Sequence, residues 1–312
     1  MPAISASAPG KIILFGEHAV VYGQPAIAVP VTQVQAKAIV VPNPGGEISI
    51  TAPDIDMSGP LASLPVDSAI ARATHLTLEK TGILNPPAFK IKISSTIPMA
   101  AGLGSGAAVT VVLIRAISNF LGRPLSDEIV NEITFDIEKI FHGTPSGIDN
   151  TVVTYGKPVY FIKGESIETF SVKKPFSILI GDTGVSSPTA VTVGQVGDSW
   201  KAQPEKFNQL FETCGDIAAQ ARRVIEAGNV AALGPLMDDN QSLLEEMGVS
   251  SPELETLIAA ARGSGALGAK LSGGGGGGNM IALVDPGDAE EVAASLERVG
   301  ATNTILTQVG KS

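Results

Sequence analysis

Cysteine is almost absent from this chain. Cys214 is the only one in 312 residues, so no internal disulfide can form and a reducing compartment is expected. Aromatic residues are scarce, at 4% with a single tryptophan, which leaves the core to Val, Ile, Leu and Ala. No uncharged apolar stretch reaches the ~20 residues that a membrane helix needs. The N-terminal MPAISASAPGK lacks the basic-then-apolar order of a secretory signal, so a cytoplasmic protein with no membrane partner is expected. Positive charge is short as well. The 21 Lys and Arg face 31 Asp and Glu, for a formal net charge of −10, and no run of Lys and Arg forms a basic patch. Such a chain repels nucleic acid. A polyanionic ligand would have to be held locally, by backbone amides, helix ends, a few lysines and a metal ion.

What is present is apolar bulk and clustered glycine. Hydrophobic residues make up 44% and charged residues 17%, the balance of a globular chain long enough for two domains or one large one. Val- and Ile-rich runs at 12–15, 26–34 and 36–41 predict strands, with a turn at 42–46 and a short strand at 47–51. Residues 52–65 read as a loop. A helix is predicted over 66–81, with Asp67 or Ser68 near its start and Gly82 at its end. FKIKISS (89–95) alternates as a half-buried strand does. Helices follow at 107–121, nearly all apolar, and at 126–141, with Ser126 as N-cap. Strands are expected around 152–163, 167–172 and 176–182. The remainder predicts helices at 204–227, 230–247 and 252–262, then a strand at 280–284, a helix at 288–299 and a strand at 302–309. Cys214 falls in a helical pattern and reads as a buried, inert side chain. The pattern divides into two α+β halves, 1–175 and 176–312.

Three stretches stand out. PGKIILFGEHAVVYG (9–23) groups Lys11, Glu17 and His18 around a strand-like run; alone, it would also suit a solvated loop. PMAAGLGSGAAV (98–109) places Gly102, Gly104 and Gly106 at the mouth of a long apolar helix. Glycines let the backbone approach a ligand, and the first amides of a helix lack internal partners and favour a phosphate. No Gly-Lys-Ser/Thr closes this loop, so it is not the P-loop. KLSGGGGGGNMIAL (270–283) carries six consecutive glycines inside a compact α/β pattern, where a second backbone cradle is a better reading than a linker. A fourth segment, EKIFHGTPSGIDN (138–150), sets Glu138 on a helix and Asp149 in a following turn. Two such carboxylates suit Mg²⁺ and a general base, although Asp149 alone could be a turn residue and Glu138 a solvated one. His18, His75 and His142 do not have a metal-ligand spacing.

The order of these motifs resembles the GHMP kinases: PGK-x₅-EH, then P-x₃-GLGS, then K-x-SGGGGGG. Within that class GEHAVVYG (16–23), HGTPSGIDN (142–150) and DTGVSSPTAVTVGQV (182–196) are similar to the mevalonate kinases. The resemblance covers residue 8 to about 284. It implies an N-terminal domain like ribosomal protein S5 domain 2, a ferredoxin-like C-terminal domain and an active site in the cleft between them. It implies ATP and Mg²⁺ as cofactors, mevalonate as the small-molecule substrate, a place in the mevalonate route to isoprenoids, and it admits a homodimer. Asp149 would be the catalytic aspartate, with Lys11 beside it. Pro98, Ala101, Gly102, Leu103, Gly104, Ser105, Gly106 and Ala107 would wrap the nucleotide phosphates. Glu138, with Ser105, would hold the metal. Lys11, Glu17, His18, Ser146, Asp149 and Thr189 would bind the acceptor, with Ser187 nearby and Gly273 to Gly276 supporting the loops. Two positions depart from the family: Gly106 replaces a second serine of the phosphate loop, and Gly274 replaces an alanine, which implies a looser turn. Rival readings are a kinase of the same class for phosphomevalonate or homoserine, and a ligand sensor that has kept the fold without catalysis.

Overall fold

The computed structural model describes residues 2–65, 67–98, 101–142 and 145–310, and for Phe141 and His142 the backbone alone. The described residues form two compact units. Of the described residues, the first holds those up to 10, from 34 to 98 and from 104 to 156; the second holds those from 11 to 33, from 101 to 103 and from 157 to 310. The first two strands therefore supply residues to both.

β1 (Ile4–Phe15) pairs with β2 (Ala26–Pro42), a 17-residue strand where two separate runs were expected. In the first unit the later part of β2 continues the sheet. β3 (Ser49–Ala52) and β4 (Met57–Pro60) are short, and α1 (Ala69–Thr81) starts and stops on its expected caps. The Ser68 hydroxyl accepts from the Ala71 N–H, and Gly82 takes the left-handed conformation at φ 69°, as helix ends favour. β5 (Phe89–Ser95) pairs antiparallel with β2 and parallel with β3. Its alternation is borne out: Phe89, Ile91 and Ile93 are buried and the lysines between them are exposed. α2 (Ser105–Phe120) is buried on most of its surface against α1, α3 (Asp127–His142) and α4 (Ile148–Tyr155).

Helix α4 replaces the strand predicted from residue 152. Its Val, Thr and Tyr content favours a strand, but Ile148, Val152 and Val153 are buried and the helix packs on α2 and α3. Packing overrides propensity, and the strand that follows, β6 (Val159–Phe161), is short.

In the second unit β6 pairs with the early part of β2 and with β7 (Glu168–Thr169). β8 (Phe176–Asp182) begins a separate sheet and is followed by α5 (Thr189–Ala202), α6 (Pro204–Ala227), α7 (Leu233–Glu246) and α8 (Pro252–Gly263). β9 (Gly268–Ser272), β10 (Asn279–Val284), α9 (Ala289–Arg298) and β11 (Asn303–Val309) complete it. The sheet order is β11-β8-β10-β9, antiparallel throughout, with Ile281 of β10 opposite Ile180 of β8. Its core joins Leu179, Leu271, Met280 and Ala282 to Phe207, Phe211 and Leu257 of the helices. Cys214 belongs to this core, fully buried as expected. Among the described residues no helix is long and apolar enough to cross a membrane.

Candidate active site

The second unit brings the first motif against both of the others. Lys11, in β1, donates its backbone N–H to the Leu103 carbonyl at 2.9 Å. Two residues on, the Ile13 N–H donates to Ser272 Oγ at 3.1 Å, and that hydroxyl donates back to the Ile13 carbonyl at 2.9 Å. His18 Nε2 lies 3.0 Å from the Gly274 carbonyl oxygen, an acceptor only, so Nε2 carries the proton. At the far end of the third motif Asn279 Nδ2 donates to the Ala101 carbonyl. Residues 11–18, 101–103 and 272–279 are thus laced together by backbone groups and short side chains.

Glu17 and His18 follow β1 in a tight corner. His18 has φ 59° and ψ −51°, and the Ala19 N–H reaches the Glu17 carbonyl at 2.6 Å. This is a γ-turn of the rare, strained form. The Glu17 carboxylate points into the core, where Lys270 Nζ donates to Oε1; both side chains are 0% exposed. The carboxylate thus reaches a lysine of β9 and presents no surface to a ligand in this arrangement. Burial pushes the Glu17 carboxyl up and the Lys270 ammonium down, each opposed by the other's charge. Burial also lowers His18 to about 4, against the Gly274 hydrogen bond that raises it, so His18 is neutral near pH 7. Glu17 Oε2 and His18 Nδ1 are buried with no hydrogen-bond partner among the described residues. Nothing in local sequence pairs Glu17 with Lys270, 253 positions away. The available signal was a lysine inside GAKLS, a strand otherwise made of small and apolar residues.

The glycine loop has the geometry of an anion site. Gly102 and Gly104 take φ 71° and 74°, and Gly104 caps a 16-residue helix with no side-chain cap of its own. Ser105 opens the helix, two residues before the predicted start, while Leu103 and Ala107 are buried beneath the loop. Pro98 is half-buried and Ala101 buried. Met99 and Ala100 of this motif, and Gly143 and Thr144 of the fourth segment, lie outside the described residues.

In the first unit Glu138, on α3, is buried at 7% exposure and adjoins this loop. A Cβ added at Gly106 would stand 3.3 Å from Glu138 Oε1. A side chain at 106 would therefore stand directly against this carboxylate. Among the described residues no three His, Cys, Asp or Glu group together. Mg²⁺ needs no such cluster, because one carboxylate, phosphates and waters complete its shell; Glu138 beside the helix start fits that donor set. Asp149 lies in the first turn of α4, not in a free turn as expected. Gly147 at φ 95° supplies the bend before it. Asn150 fixes the turn through Nδ2 to Asn131 Oδ1 at 2.7 Å, and Thr151 through its hydroxyl to the Gly147 carbonyl at 2.6 Å. Ser146 accepts from the Ile148 N–H at 3.3 Å.

The six-glycine run is a packing strip. The Gly276 N–H goes to the Val249 carbonyl at 2.7 Å and the Gly278 N–H to the Val185 carbonyl at 2.8 Å. Those two amides serve the protein rather than a ligand. At Gly274 an added Cβ would meet Thr189 Oγ1 and Thr192 Oγ1 at 3.0 Å each, and at Gly276 it would meet Ser187 Oγ at 2.7 Å. The glycines let the segment 185–192 lie against the third motif, with Thr189 exposed at the start of α5.

Residues 68–157 match the family of GHMP kinases N terminal domains, and 221–302 that of GHMP kinases C terminal domains. A mevalonate kinase of Pyrococcus abyssi is 38% identical over 99% of this chain and 96% of its own length. The chain belongs to the mevalonate kinase family. It is therefore a kinase of the GHMP class that uses ATP, and the expected α+β GHMP kinase fold holds. Solved members agree. The L. major mevalonate kinase, crystallised in complex with R-mevalonate, superposes with a TM-score of 0.85 at 30% identity, over 99% of this chain and 96% of that one. The Methanococcus jannaschii mevalonate kinase gives 0.86 at 26%, over 100% and 99%.

Proposed function

We propose that this protein transfers the γ-phosphoryl group of ATP to the C5 hydroxyl of (R)-mevalonate, giving 5-phosphomevalonate and ADP. The observation that carries the reading is the lacing of the three motifs: residues 11–18 bonded to 103 on one side and to 272 and 274 on the other. The family of the chain, and a relative crystallised with R-mevalonate, support the choice of acceptor.

In this reading Asp149 takes the proton of the C5 hydroxyl as its oxygen bonds to the γ-phosphorus and the bond to ADP breaks. Lys11 offsets the charge that develops on the oxygens. Phosphoryl transfer is mainly positioning and charge stabilisation, so two well-placed side chains suffice for the acid-base part. The amides at the start of α2, with Gly102 to Gly106, hold the phosphates, and Ser105 donates to them. Glu138 would hold Mg²⁺, which would supply charge neutralisation at the phosphates. By the family resemblance His18, Ser146 and Thr189 would bind the acceptor.

The test is ADP release with Mg·ATP against mevalonate, phosphomevalonate, homoserine and galactose. Turnover with mevalonate alone is expected. Turnover confined to another acceptor overturns the substrate, and no turnover with any of them favours a sensor.

A further inference from the structure

The Lys270–Glu17 pair has no part in the chemistry just described, yet it is the most deeply buried charge in the second unit that touches a motif. Lys270 Nζ donates inward, to the Glu17 carboxylate and to the Leu271 carbonyl at 2.6 Å. A buried ion pair seldom stabilises a fold more than an apolar pair of the same volume, because desolvation offsets the attraction. Its value lies in fixing geometry, and here the geometry leads somewhere. Glu17 is followed directly by His18, whose φ and ψ of 59° and −51° persist only where surroundings over-determine them. Glu17 tethers the near side of that turn to β9. His18 Nε2 grips the Gly274 carbonyl on the far side. A methyl group on Gly274 would come within 3.0 Å of the Thr189 and Thr192 hydroxyls, so those side chains would have to give way by a few tenths of an ångström. A contact chain thus runs Lys270, Glu17, His18, Gly274, Thr189, wholly inside one compact unit.

We propose that Lys270 is a positioning residue for the phosphoryl acceptor: through Glu17 and the strained His18 turn it sets the height of Gly274, and so where the start of α5 and Thr189 stand. The proposal rests on the reading of 189 as acceptor-side. It makes Glu17 a residue that acts through His18 rather than by touching the acceptor. It also makes glycine at 274 a determinant of acceptor fit, since a methyl there would push Thr189 outward.

Four variants test it: Lys270→Met, Glu17→Gln, the double variant Glu17→Leu/Lys270→Met, and Gly274→Ala. Each is measured for melting temperature, for KM and kcat toward mevalonate and toward ATP, and for mevalonate binding by calorimetry. Lys270→Met leaves the Glu17 carboxylate buried without its partner, Glu17→Gln leaves the Lys270 ammonium buried without its counter-charge, and each lowers the melting temperature. The double change restores most of it, but KM and Kd for mevalonate stay about tenfold higher while KM for ATP stays within about twofold, the signature of a lost acceptor-side interaction. Gly274→Ala raises KM for mevalonate about fivefold or more with ATP unaffected. A double variant that recovers both its melting temperature and its mevalonate KM makes the pair merely structural and overturns the proposal. If the double variant does not fold, Gly274→Ala decides: wild-type KM for mevalonate there overturns it. The wild type is assayed first. If it turns over only a different acceptor, mevalonate fails as substrate, and the same split, read with that acceptor, still judges the positioning chain.

Discussion

Asp149 and His18 show how single residues are set by their immediate neighbours. Asp149 owes its place to a left-handed glycine before it and to Asn150 bonded across to Asn131 after it. Asparagine keeps the size and shape of aspartate, so Asp149→Asn should fold and bind ATP as the wild type does while kcat falls about 10²–10⁴-fold, the usual contribution of an acid-base group. Near-normal turnover in the ADP-release assay would remove Asp149 from the mechanism. His18 is set by burial, which lowers it to about 4 from an unfolded value near 6.5. Between those values the unfolded chain holds a proton that the native chain does not. Stability is thus full above about pH 6.5 and is lost as pH falls toward 4, by about 2 kcal/mol between pH 7 and pH 5. Urea midpoints of wild type and His18→Gln at both pH values check this. The stability gap between them should narrow on acidification by about that amount, and an unchanged gap would mean His18 is not held neutral. Cys214, raised to about 12 by burial, should resist thiol reagents until the chain is unfolded, because the thiolate is the reactive form.

At the scale of elements, close approach of backbones decides more than side-chain pattern. Gly234, early in α7, and Gly268, opening β9, face one another so tightly that a Cβ at 234 would overlap the Leu267 carbonyl and one at 268 the Gly234 carbonyl. Gly234→Ala should cost about 1–3 kcal/mol or more, as overpacking does, read as a lower urea midpoint; an unchanged midpoint would show that helix and strand can part freely. The same effect explains what could be read from the sequence. Elements with a clean period or caps were legible: β5 from FKIKISS, α1 from Ser68 and Gly82, α6 to α8 from their apolar spacing. So were the glycine loop opening α2 and Glu138 on α3. Helix α5, with VTVGQVG, is full of β-branched residues and glycine and buries only Thr192 and Val196, while α4 reads as a strand and is a helix because its neighbours bury it. β9 is five residues long, all buried, and too short to announce itself. The Glu17–Lys270 pair, with partners at opposite ends of the chain, is invisible to any local pattern. So is what stands opposite Gly274 and Gly106: a threonine pair in one case and a carboxylate in the other.

At the scale of the whole molecule, an acidic protein must bind a polyanion. With a net charge of −10, long-range attraction cannot gather ATP, and the hold must come from groups at the site. On the proposed reading the start of α2, Ser105 and Lys11 are such groups, and Glu138 contributes only through the Mg²⁺ it would hold. They act at contact distance, where screening by salt is weak, unlike a surface basic patch, whose affinity falls steeply with salt. Binding to the native state alone should raise its stability by about 2.7 kcal/mol at a ligand concentration of 100 Kd. That corresponds to a rise of several degrees in melting temperature for a chain of this size, at about 2–4 °C per kcal/mol. We expect Mg·ATP to give such a shift, mevalonate to add to it, and the shift to survive an increase from 0.05 to 0.3 M NaCl. A shift that collapses over that range would mean that exposed cations hold the nucleotide, and the loop at 102–106 would lose its assigned role.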